Sequence, residues 1–262
     1  MVLNERRRQE MMDSINPPRN KILCGDCMVG LKEIPDGCVD LIMMDPPYLL
    51  DTSNGHGGRG FGPAKGSVKG SANYMKELHQ GTFTEGITDD VLDELVRVMR
   101  KINIYIWCNE RQIPQYLNYF LDKGCNFNVL TWHKSRVIPF CANMYLSDTE
   151  YCLFFRDKGV RIRGDYSTLS KYHISIPNVE DKNKYDHPTI KPLQLIRRLI
   201  SNSSDEGDLV LDPFMGSGTT AVACVQSGRD YLGWELDEGY HKTAERRVDS
   251  AHKSTDLLSF FE

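Results

Sequence analysis

Two short segments hold residue types and spacings suited to chemistry. Asp45-Pro46-Pro47-Tyr48 follows the apolar run Val39 to Met44. Two prolines can neither continue a strand nor open a helix smoothly, so Asp45, Tyr48 and the Pro46 carbonyl are held in a stiff turn at the end of that run. Taken alone, the tetrapeptide also fits a plain strand-ending turn. The second segment is Asp212-Pro213-Phe214-Met215-Gly216-Ser217-Gly218-Thr219-Thr220, between a predicted strand and a predicted helix. Glycines let the backbone approach a ligand closely, and the helix N-terminus offers unpaired N–H groups to a carboxylate or similar group. Glu235 ends the next predicted strand, where an acid in dinucleotide folds accepts hydrogen bonds from ribose hydroxyls. Cofactor binding is the chemistry these residues suit. A Walker phosphate loop is excluded by the missing Gly-Lys-Ser/Thr. Cys24-Gly25-Asp26-Cys27 has the spacing of half a zinc site or of a redox dithiol, but no second CxxC or spaced His pair completes four metal ligands.

The elements that must position these residues alternate. Lys21 to Cys24 and Val39 to Asp45 read as short buried strands around a helical stretch, Met28 to Ile34. Thr88 is placed to cap a helix from Asp89 to Arg100, and Ile102 to Trp107 follows as a strand. A helix containing Ile113, Tyr116, Leu117 and Phe120 leads to the strand Phe127 to Trp132. No helix separates that strand from Tyr151 to Phe155, which predicts an antiparallel hairpin at the sheet edge. Pro192 opens a helix through Ile200. The strand Asp208 to Leu211, a helix over Thr219 to Gln226, the strand Tyr231 to Trp234 and a helix to about Val248 complete the pattern. The fold class is α/β, a doubly wound, mostly parallel sheet.

Composition bounds the rest. The chain has 262 residues, 40% hydrophobic and 26% charged, which suits one domain spanning 1–262. Lys and Arg total 32 against 36 Asp and Glu, a formal charge of -4. No global cationic field is present, so a polyanion must meet a local basic patch. Two stretches qualify. Residues 50–82 form a Gly-rich basic loop with Arg59, Lys65 and Lys69, and 159–187 form a small insert in which Arg161, Arg163, Lys171, Lys182 and Lys184 alternate with Tyr166, Tyr172 and Tyr185. The start is too polar for a secretory signal, apolar runs are too short for a membrane span, and eight scattered cysteines read as reduced thiols. A cytoplasmic protein is expected.

Together the motifs resemble the S-adenosylmethionine-dependent DNA methyltransferases that act on exocyclic amino groups, specifically the adenine-N6 enzymes with a DPPY turn. The order, catalytic turn first and glycine turn late, resembles their permuted beta group. Gly25-Asp26, Trp132 with Lys134, Glu150 to Phe155 and His187-Pro188-Thr189-Ile190-Lys191-Pro192 fall in family sequence, and the resemblance covers about Lys21 to Val248. It implies a Rossmann-like methyltransferase fold and site-specific methylation of double-stranded DNA, as in restriction–modification. Asp45 and the Pro46 carbonyl would accept the N6 hydrogens within the turn that Pro47 stiffens, and Tyr48 would stack on a flipped-out adenine. Gly216 and Gly218, in the turn with Asp212, Phe214 and Thr219, would meet the methionine moiety of the cofactor. Glu235 would bind its ribose and Asp26 its adenine amino group. Thr189 and Lys191 would reach the methionine carboxylate, although a first-turn lysine beside Pro192 is as readily a solvated one. No metal is implied.

Cytosine-N4 methylation is the same chemistry, but the resemblance puts Ser where Asp45 stands. A catalytically inactive DNA-binding subunit would be expected to lose Asp45 or the glycines. The insert is small for a separate recognition domain, which points to a homodimer or a short target. The tail, 252–262, is apolar. Leu257, Phe260 and Phe261 have the spacing of a sliding-clamp docking peptide, with Ser254 where that motif has Gln, while packing onto the domain is the plainer expectation.

Overall fold

The computed structural model describes residues 16–49, 86–137, 145–176 and 190–259, with side chains through Ser254. Their elements are β1 (Lys21–Cys24), α1 (Cys27–Leu31), β2 (Leu41–Met44), α2 (Asp89–Val98), β3 (Asn103–Cys108), α3 (Ile113–Asp122) and β4 (Asn126–Lys134). After them come β5 (Thr149–Arg156), β6 (Tyr172–Ser175), α4 (Leu193–Ser203), β7 (Leu209–Asp212), α5 (Thr219–Val225), β8 (Asp230–Glu235) and α6 (Glu238–Ser259). The strands form one sheet in the order β1-β8-β7-β2-β3-β5-β4-β6.

Helices cover both faces of the sheet, which is why β2 and β3 are buried at every residue and read as unbroken apolar runs. On one face Ile42, Met44, Ile104 and Ile106 pack with Leu31, Leu92, Leu95 and Phe120 from α1 to α3. On the other, Leu41, Met43, Tyr105 and Val210 pack with Leu195, Leu199, Ala221 and Val248 from α4 to α6. The α/β doubly wound expectation holds.

Three sequence expectations change in detail. β4 and β5 do pair antiparallel, but β5 lies between β3 and β4 and runs antiparallel to both, so the hairpin is not at the edge. The buried run Cys152 to Phe155 is too apolar for an edge position. β6, with Tyr172 and Ile174 exposed, takes the edge parallel to β4. The described part of the 159–187 insert is therefore a strand of the main sheet and its approach. The last helix continues past Val248 to Ser259 and takes in most of the 252–262 tail, since no Gly or Pro follows Val248 to stop it. The Gly-rich loop of 50–82 lies wholly outside the described residues, as do His187, Thr189, Phe260 and Phe261.

Candidate active site

β1, β8, β7, β2 and β3 are parallel neighbours, so their carboxyl ends share one edge of the sheet. Four of those ends carry an acid in spatial order: Asp26 just past β1, Glu235 closing β8, Asp212 closing β7 and Asp45 just past β2. A crevice at this edge is where doubly wound sheets bind ligands.

The turn after β2 is built for display. Gln112, buried near the start of α3, donates through Nε2 to the Pro47 carbonyl at 3.0 Å, and Asn109 Nδ2 donates to the Leu49 carbonyl at 2.8 Å. Pro46 is buried. Asp45 Oδ2 accepts from Lys191 Nζ at 2.6 Å, while Asp45 Oδ1 is buried with no hydrogen-bond partner among the described residues. Lys191 also donates to the Tyr48 hydroxyl at 3.3 Å and stands 5.1 Å from the centre of the Trp107 ring. Burial and the Asp45 carboxylate hold the Tyr48 phenol well above its ordinary range, so it stays neutral.

Lys191 is only 7% exposed, which removes the solvated-lysine reading. Its ammonium contacts Asp45, and it lies 3.0 Å from Glu150 Oε2, whose other oxygen is 2.5 Å from Lys134 Nζ. Burial by itself would lower the Lys191 pKa, but the Asp45 and Glu150 charges outweigh it and hold it well above the usual value. Burial opposes ionisation of Glu150 too, yet the two lysines pull it down to about 2. Topology explains the meeting. Because β5 runs antiparallel, its first residues, Glu150 among them, come to the edge where β4 ends at Lys134.

The glycine turn is held from three sides. Glu235 Oε2 accepts from the Gly216 amide at 2.7 Å and Oε1 from the Asp237 amide at 2.9 Å. Asp212 Oδ1 accepts from the Phe214 amide at 3.0 Å and Oδ2 from the Thr220 hydroxyl at 2.5 Å; burial pushes this carboxyl up to about 7. Arg247, buried on α6, donates to the Ser217 carbonyl and hydroxyl, both at 2.7 Å, and to Thr219 Oγ1 at 3.2 Å. Gly216 (φ 55) and Gly218 (φ 82) are left-handed. A Cβ on Gly218 would lie 3.0 Å from the Ala244 backbone, so this glycine is required by the α5–α6 contact. Asp26 caps α1 by accepting from the Met28 amide at 2.8 Å and remains exposed. Cys27 is buried with its thiol pushed up to about 12, the reverse of a redox-poised thiolate. Phe214 packs on the core beside the turn.

Gln112, Asn109 and Arg247 were not legible as site residues, since a lone amide or a helix arginine has no motif. Lys134 and Glu150 were seen only as family-like pieces without a role.

The family model described as "DNA methylase" matches residues 39–246. The chain belongs to that family. This DNA methylase is 28% identical over 261 residues to the type II methyltransferase M.HpaI of Haemophilus parainfluenzae, covering 91% of this chain and 77% of the relative. In fold it is similar to the M1.HpyAVI–SAM complex (TM-score 0.63, 23% identity, 87% of this chain and 98% of that one). It is equally similar to the cytosine-N4-specific PvuII DNA methyltransferase (TM-score 0.62, 13% identity, 91% and 93%). Both likenesses are of fold.

Proposed function

We propose that this DNA methylase transfers a methyl group from S-adenosylmethionine to the exocyclic N6 of an adenine flipped out of a specific duplex sequence. The observation that carries the reading is Asp45 Oδ1, a buried carboxylate oxygen with no donor among the described residues, beside the Pro46 carbonyl in a turn that Gln112 and Asn109 hold rigid. The N6 lone pair is delocalised into the purine ring. Two fixed acceptors that take its hydrogens localise the pair on nitrogen and align it for attack. As the new N–C bond forms, nitrogen must lose a proton, and Asp45 Oδ1 is placed to receive it and pass it to water. The neutral Tyr48 ring offers the base a stacking surface.

The residues along the edge fit the cofactor. Glu235 and Asp26 each retain lone pairs toward donors at the ends of β8 and β1, and the left-handed Gly216 leaves its backbone without a side chain in the crevice. When bound, S-adenosylmethionine supplies an electrophilic methyl on a positively charged sulfur, a charge that suits an edge lined with four acids. No enzyme nucleophile is needed.

Asp45 favours adenine over cytosine-N4, and the intact Asp45, Gly216, Gly218 and Glu235 argue against an inactive subunit. The type II designation of M.HpaI supports a restriction–modification setting. Duplex contacts are assigned to the basic loop and to the insert, where Arg161, Tyr166 and Lys171 are exposed. Mass spectrometry of nucleosides from treated DNA tests the function: N6-methyladenine is expected, and N4-methylcytosine in its place would overturn the assignment.

Two partner readings rest on sequence spacing and size, a homodimer and a clamp contact through Leu257, Phe260 and Phe261. Deleting 255–262 checks the second, which requires lost clamp pull-down at unchanged melting temperature. Among the described residues no helix is long and apolar enough to cross a membrane. Cytoplasmic location is the reading carried by the scattered cysteines.

A further inference from the structure

We infer that Glu150 is a positioning residue for methyl transfer: with Lys134 behind it, it anchors Lys191 so that Lys191 saturates Asp45 Oδ2 and leaves Oδ1 as the Asp45 oxygen that faces the target amino group beside the Pro46 carbonyl. The inference rests on the proposed role of Asp45. Charges alternate along a chain of contacts, Lys134 to Glu150 at 2.5 Å, Glu150 to Lys191 at 3.0 Å and Lys191 to Asp45 at 2.6 Å. The four side chains come from β4, β5, the segment before α4 and the turn after β2, so no local sequence element enforces the arrangement. An ammonium has three donors. Here two of them go to Asp45 and the Tyr48 hydroxyl, Glu150 Oε2 lies 3.0 Å away as an ion-pair partner outside hydrogen-bond geometry, the Trp107 ring closes a further side, and the side chain is 8% exposed.

A carboxylate can rotate about its last bond and offer either oxygen. Pinning Oδ2 stops that rotation, and pinning requires that Lys191 not drift. Glu150 supplies the second anchor. Without it, Lys191 keeps a single carboxylate, and the Asp45–Lys191 pair is free to swing toward any other anion in the crevice, the cofactor carboxylate included. Glu150 itself touches neither base nor cofactor in this scheme. The cost of its removal therefore belongs to the chemical step rather than to cofactor affinity.

Glu150→Gln in the full chain tests this, with single-turnover methyl transfer to duplex DNA, calorimetry with S-adenosylmethionine, and melting temperature measured together. The expected result is a rate about tenfold or more lower with cofactor Kd within about twofold, the range for loosening a preorganised polar contact. The rate should fall at unchanged melting temperature, whereas a merely structural role would lower the melting temperature and weaken cofactor binding along with the rate. Lys134→Met, at a partly exposed position, should give a smaller loss of the same kind and serves if Glu150→Gln does not fold. Unchanged rates in both variants, or a loss explained wholly by weaker cofactor binding, would overturn the inference. Absence of DNA methylation by the wild-type protein would instead overturn the proposed function.

Discussion

Asp45 concentrates the chemistry of this protein in one oxygen. Oδ2 is committed to Lys191 and Oδ1 is buried without a donor among the described residues, an arrangement that costs stability unless a ligand completes it. Asp45→Ala should therefore lower methyl transfer by at least about a hundredfold, the scale for removing one preorganised polar group. Cofactor affinity should stay nearly intact, because the glycine turn is built from other residues. Tritium transfer from labelled cofactor into duplex DNA, set beside calorimetry, checks both halves. Turnover near wild type would refute the role of Asp45.

At the scale of elements, the junction between β7 and α5 is tied to α6 as well as to β8 and its own residues. Arg247 bonds Ser217 and Thr219 from α6, and Gly218 lies against Ala244 of the same helix. Gly218→Val meets two penalties there. The left-handed backbone costs a β-branched residue roughly 1–2 kcal/mol, and overpacking against Ala244 costs roughly 1–3 kcal/mol. The expected outcome is a melting temperature lower by several degrees together with loss of cofactor binding, read by differential scanning fluorimetry with and without S-adenosylmethionine. A variant that melts like wild type would show that α6 yields, and that the glycine is not needed for packing.

For the whole molecule, the buried Asp212 and the half-buried Glu150 act on stability with opposite sign. The Asp212 carboxyl is pushed by burial from 3.8 to about 7, so between those values the folded protein holds a proton that the unfolded chain has released. Its contribution to stability is therefore lost as pH rises through that window. Glu150, drawn by its lysines from 4.5 to about 2, contributes stability above its ordinary value and loses it as pH falls through that interval. Asp212→Asn keeps both hydrogen bonds, since the Thr220 hydroxyl can reverse and the Asn oxygen still accepts from Phe214. Melting temperature followed from pH 4 to 8 should decline less steeply in Asp212→Asn than in wild type. Parallel curves would remove Asp212 from the account.

Local signals were legible because period and turn chemistry act over a few residues. The apolar runs ending at Asp45, Asp212 and Glu235, and the glycines between β7 and α5, placed those acids at strand ends before any coordinates. Their family order named the reaction and the cofactor through resemblance, and the family match bears out the DNA methylase. What the chain does not state locally is which strand pairs with which. β5 reads as half of an edge hairpin, and only its pairing between β3 and β4 buries Cys152 to Phe155 and turns Glu150 toward the carboxyl edge. Lys191 and Asp45 are 146 residues apart, and a lysine before a helix has no signal that distinguishes burial from solvation. Gln112 and Arg247 are likewise ordinary helix residues until packing sets them against a turn from elsewhere in the chain. Sequence thus determined which acids end the strands, through hydrophobic period and glycine and proline stereochemistry. Tertiary structure decided which cations meet those acids, because an ion pair between distant segments depends on strand order and burial.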